Sequence, residues 1–101
     1  MPFVKVASLS DLPADSVIEV SVGDNFYAVC NDHGTVRALS GICAHQGGPL
    51  GQGQYAEGRV ICPWHAWEFD CRTGENCDDP DTRVATYEVR IEGNDVLLQV
   101  P

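Results

Sequence analysis

Cys43-Ala44-His45-Gln46-Gly47-Gly48-Pro49-Leu50 and Cys62-Pro63-Trp64-His65-Ala66-Trp67-Glu68-Phe69-Asp70 are the two segments on which the reading of this chain turns, with 16 residues between His45 and Cys62. Each sets a thiol and an imidazole two or three positions apart. In extended backbone, residues two apart face the same side with about 6 to 7 Å between them, too wide to chelate one ion comfortably but suited to two neighbouring irons. Each segment then serves both: Cys43 and Cys62 converge on one iron, His45 and His65 on the other, and inorganic sulfide completes four-coordinate sites. A structural zinc site is the competing reading of two Cys and two His. Zinc shells usually begin Cys-x2-4-Cys and end His-x3-5-His, whereas here Cys and His alternate within each motif.

The first motif lies in a glycine-rich stretch, 41–58, poor in β-formers and loop-like by composition. So long a loop in one domain is uncommon unless it is functional. Outward from it the chain becomes strand-rich. Runs at 3–7, 17–22, 26–31 and 36–39 precede the loop; 85–92 and 95–100 follow it. Gly23-Asp24-Asn25, Asn31-Asp32-His33-Gly34 and Gly93-Asn94 supply turn residues between consecutive runs, predicting hairpins. Ser10-Asp11-Leu12-Pro13 offers at best one helical turn. The expected class is all-β, in a single domain over 1–101.

The 101 residues suit one hydrophobic core. The chain carries 15 acidic and 6 basic residues, a formal charge of −9. That charge disfavours nucleic acid and anionic membrane and suits a basic protein partner. No apolar run approaches the roughly 20 residues of a membrane span, and the N-terminus lacks the pattern of an export signal, so a cytoplasmic location and a monomer are expected. Five cysteines without secretory context speak for metal binding over a disulfide framework. Cys30 continues the face of Phe26 and Ala28 and reads as a small buried hydrophobe. Cys71 and Cys77 read as non-ligands, and His33 as a solvated turn residue.

The pattern Cys-x-His, x16, Cys-x2-His resembles the Rieske family, most closely bacterial Rieske ferredoxins and the small subunit of assimilatory nitrite reductases. The resemblance implies one [2Fe-2S] cluster, with Cys43 and Cys62 on the inner iron and His45 and His65 on the outer one. It also implies stacked antiparallel sheets with the cluster at the tip of an inserted cluster-binding subdomain at about 41–74, and a proline-containing loop, here Asp78-Asp79-Pro80-Asp81, over the cluster. Gly47, Gly48 and Gly51 are candidates for close backbone approach to the cluster sulfurs. High-potential relatives carry a disulfide at positions matching Gly48 and Trp64, and a Ser and a Tyr hydroxyl at positions matching Trp67 and Phe69. None of these groups is present here.

The function expected from that resemblance is one-electron transfer, as a ferredoxin between a flavin reductase and a terminal oxygenase. The alternatives are a subunit beside the sirohaem large subunit of a nitrite reductase, and a non-redox binding domain. No nucleophile with its base, phosphate loop or second metal set is visible, so the chain alone is expected to catalyse no reaction.

Overall fold

The computed structural model describes residues 2–43, 47–64, 66–79 and 81–100. Strand β1 (Phe3–Ser8) leads through a 3-10 turn at Leu9–Asp11 to β2 (Ser16–Val22), β3 (Asn25–Asp32) and β4 (Thr35–Ser40). Gly23 (φ 60°) closes β2 onto β3. His33 (φ 53°) and Gly34 (φ 100°) close β3 onto β4 with the paired positive φ that matches strand twist.

Three further strands, β5 (Gln54–Ala56), β6 (Arg59–Ile61) and β7 (Glu68–Asp70), form an antiparallel sheet of their own; β5 lies inside the stretch 41–58 expected to be loop, and β6 and β7 follow it. They are short, and the β5–β6 turn places Glu57 at φ 49° before Gly58, a conformation that Glu seldom adopts. The run 85–92 is not one strand. It divides at Glu88 into β8 (Thr86–Tyr87), paired with β4, and β9 (Val89–Glu92), paired with β10 (Asp95–Gln99). One continuous β pattern is thus shared between two sheets.

Among the described residues three antiparallel sheets result, in the orders β1-β10-β9, β2-β3-β4-β8 and β5-β6-β7. Strand β3 explains their stacking. Tyr27 and Val29 face a core shared with Val96 and Leu98 of β10, while Ala28 and Cys30 face a second core with Leu50, Val60 and Phe69 of the inserted unit. Both faces of β3 are therefore covered, and its sequence reads as a nearly continuous apolar run. The observed architecture is the all-β stack of antiparallel sheets expected from the sequence. Among the described residues no helix is long and apolar enough to cross a membrane.

The inserted sheet is also tied to the central one by polar contacts. The Tyr55 hydroxyl on β5 donates to Asp32 at the end of β3 and accepts from the Gly58 N-H at 3.0 Å. Arg37 reaches the other Asp32 oxygen at 3.2 Å. The Tyr55 hydrogen bond, with Arg37 beside it, holds Asp32 below the usual carboxylate range, while burial and the carboxylate push Tyr55 up to about 12. Tyr55→Phe is expected to cost about 1.5–3 kcal/mol by denaturant unfolding at neutral pH, the range for a hydrogen bond to a charged group. Because the folded Asp32 value is depressed, this contribution is complete above the unfolded value near 3.9 and fades as pH falls through the folded value. The gap between variant and wild type is expected to narrow in acid.

Candidate metal centre

Cys43 and Cys62 occupy equivalent places in two hairpin-like loops. Cys43 follows the isolated bridge between Ile42 and Pro49; its N-H donates to the Gly48 carbonyl at 2.8 Å, and its carbonyl accepts from Gly47 N-H at 3.0 Å. Cys62 follows β6, and its N-H donates across the β6–β7 connection to the Trp67 carbonyl at 2.7 Å. Each cysteine thus opens a loop whose far end is fastened back to it. Both side chains are buried at the margin of the core between the central and inserted sheets.

The fold brings the two thiols into one buried cluster, near enough for Cys43 to influence the ionisation of Cys62. Burial pushes the Cys62 thiol up, the Trp64 N-H bonded to it lowers it, and the Cys43 thiol raises it again. A thiolate at this place needs a cation, and iron supplies one. Two adjacent buried sulfurs with a backbone N-H already directed at one of them fit the thiolate side of a [2Fe-2S] site. His45 and His65, the expected imidazole ligands, lie outside the described residues, as does Pro80 of the expected covering loop.

The three glycines divide. A Cβ on Gly48 would lie 2.9 Å from Cys62 Sγ and 3.0 Å from the Trp64 ring, so the close approach of the two loops requires glycine there. Gly47 spends its N-H on the Cys43 carbonyl, not on a sulfur. Gly51 is a packing position away from the thiols: a Cβ would lie 2.7 Å from Glu19 Cα on β2. Only the tertiary approach of β2 separates it from its neighbours in sequence.

The other cysteines are free thiols. Cys30 is fully buried, as its alternation predicts, and lies beside the Cys71 thiol, a proximity invisible in the sequence; that neighbour, with burial, raises the Cys71 thiol strongly. Cys77, the nearer neighbour of Cys71 along the chain, is exposed. His33 sits in its turn, exposed, with Nδ1 3.0 Å from Asp15. Asn76 was not singled out by the sequence. It is buried, and its Oδ1 accepts from the N-H groups of Asp78 and Asp79 at 2.8 and 2.9 Å, fixing the start of the acidic loop.

Residues 2–88 match the family model described as the Rieske [2Fe-2S] domain. The chain belongs to the Rieske [2Fe-2S] family. This Rieske domain is 33% identical over 100 residues to the ferredoxin component of the naphthalene 1,2-dioxygenase/salicylate 5-hydroxylase systems of Ralstonia sp, covering 97% of this chain and 95% of that protein. It is 34% identical over 95 residues, 93% of the chain, to apoptosis-inducing factor 3 of Mus musculus, but spans only 16% of that protein's length. The solved ferredoxin of carbazole 1,9a-dioxygenase from Nocardioides aromaticivorans IC177 superposes with a TM-score of 0.86 at 27% identity, covering 97% of each chain. The cofactor of the family is one [2Fe-2S] cluster.

Proposed function

We propose that this Rieske domain is a ferredoxin, carrying single electrons from a flavin reductase to a terminal oxygenase through one [2Fe-2S] cluster ligated by Cys43, His45, Cys62 and His65. The observation that carries the reading is the meeting of two buried thiols, Cys43 and Cys62, at the heads of paired loops. Its near full-length similarity to a dioxygenase ferredoxin component supports the choice of partner. In this reading residues 41–74 form the cluster-bearing unit of one domain, and the protein works in the cytoplasm as a monomer without catalysing a reaction itself.

When bound, such a cluster supplies a one-electron redox couple. The chain's own part is to hold the sulfurs. Gly48 lets the loops close on each other, the Trp64 N-H bonds to Cys62 Sγ, and Trp64 and Trp67 place ring surface beside the site. Hydrogen bonds to ligand sulfur and exclusion of water both tune the potential of such a centre.

The purified holoprotein is expected to contain about two irons and two sulfides per chain. Its reduced state is expected to show nitrogen coupling in electron paramagnetic resonance, from imidazole ligands. One zinc and no sulfide would overturn the reading. Stable copurification with a large sirohaem protein would instead select the nitrite reductase subunit.

A further inference from the structure

Among the described residues four large hydrophobic side chains stand exposed, and three of them lie at or beside the two cysteine loops: Phe26 and Ile42 share one pocket, and Trp64 sits against Gly48 of the first loop. Phe26 and Ile42 wall a single cavity of about 160 Å³, with Tyr27, Tyr87 and Asp24 among its other walls. Ile42 extends over Gly47, within 3.9 Å of where a Cβ would stand, and Gly48 meets the Trp64 ring, which belongs to the second loop. The fourth exposed residue, Ile91, lies on β9 in a different sheet.

Phe26 is the telling member. It shares a face of β3 with Ala28 and Cys30, and both of those are completely buried, whereas Phe26 is 47% exposed. Alternation aims the Phe26 ring at the core, yet it remains in solvent at the strand's start. Contiguous apolar surface with a polar rim is the mark of an interaction site rather than of ordinary scatter.

We infer that the electron-transfer partner docks at this pocket, inserting one apolar side chain between Phe26 and Ile42 and setting a basic group against Asp24. The inference rests on the electron-transfer reading above and names the partner's chemistry. The pocket has the size of one side chain and a mixed lining, Phe26 and Ile42 facing Asp24, Asn25 and Ser40, so it suits an aromatic or branched aliphatic side chain with a polar or basic neighbour. The charge follows from the surroundings. Five of the six Lys and Arg residues already sit in ion pairs, at Lys5, Arg37, Arg59, Arg83 and Arg90, and the formal charge is −9. A basic rim on the partner is steered toward such a surface, and the buried apolar anchor then supplies most of the affinity. Ile42 adjoins Cys43, so an anchor seated there excludes water next to a cluster ligand.

Two oxidants of equal charge test this on the reduced holoprotein: tris(1,10-phenanthroline)cobalt(III), an apolar cation, and hexaamminecobalt(III), a hydrophilic one. In each reaction one electron leaves the reduced cluster and converts Co(III) to Co(II). Phe26→Ser and Ile42→Ser are each expected to raise the half-saturating concentration of the phenanthroline complex about tenfold, the effect of losing one well-buried apolar contact. Neither is expected to change oxidation by the hexaammine complex, and Ile91→Ser is expected to change neither reaction. Asp24→Asn is expected to weaken both oxidants. Unchanged saturation by the phenanthroline complex in both serine variants, or equal losses toward the two oxidants, would overturn the docking site. A wild-type protein that reduces neither complex would instead overturn the electron-transfer reading itself.

Discussion

Cys62→Ala is expected to yield a colourless protein in which iron falls from about two per chain to none. Cys62 lies between β6 and the Trp67 carbonyl, with its sulfur bonded to the Trp64 N-H and adjacent to the Cys43 thiol. No second thiol stands ready to replace it. Cys30 and Cys71 are free thiols buried side by side in the core, and Cys77 is exposed and beyond β7. Cys43→Ala is expected to behave the same way, because one remaining thiolate cannot complete an iron that needs two protein sulfurs. His45→Ala and His65→Ala are expected to remove or convert the cluster, while His33→Ala leaves the visible spectrum unchanged. Cys30→Ala separates the two classes of cysteine: it removes a buried sulfur and lowers stability, but iron content stays at the wild-type level. Metal analysis and visible absorption read all six variants. Full iron in Cys62→Ala, or equal losses in His33→Ala and His65→Ala, would sink the ligand assignment.

The midpoint potential is expected near −150 to −100 mV at neutral pH, the low end of the range for Rieske centres. Neutral imidazoles in place of two thiolates raise any Rieske centre above plant-type ferredoxins, and hydrogen bonds to the sulfurs then set its place within the range. At Trp67 and Phe69, where high-potential relatives carry a Ser and a Tyr hydroxyl, this chain has rings without one. Without these two hydroxyl donors more of the added negative charge is left uncompensated on reduction, which lowers the potential. The structure shows that the matching disulfide is absent as well: Gly48 and Trp64 do approach each other, but through a ring packed on a glycine. Phe69 is completely buried on β7, beside the core that contains Cys43 and Cys62. Trp67→Ser with Phe69→Tyr is therefore expected to raise the potential. Voltammetry decides, and a wild-type midpoint above about +100 mV would show that the missing donors do not control it.

What could be read in advance was local. The hairpins at Gly23-Asp24, His33-Gly34 and Gly93-Asn94 follow from residues that tolerate positive φ between alternating runs, and the structure closes β2–β3, β3–β4 and β9–β10 there. The Cys/His pairs were legible for the same reason, since each motif lies within a few residues and its spacing is a chemical statement by itself. Other features depended on which segments meet. Glu57-Gly58 hides a turn because Glu disfavours the conformation it adopts. The run 85–92 hides a break because the change of sheet at Glu88 leaves no mark on the β pattern. Gly48 and Gly51 look alike until Cys62 arrives against one and Glu19 against the other. Phe26 looks like a core residue because it shares a face with Ala28 and Cys30, yet it stands half exposed while they are buried. Side-chain chemistry and backbone preference are written residue by residue, so the sequence alone determined the hairpins and carried the motifs from which the donor set is proposed. Contact between distant segments is a property of the packed sheets, so the tertiary structure decided which thiols lie together and which apolar surface remains for a partner.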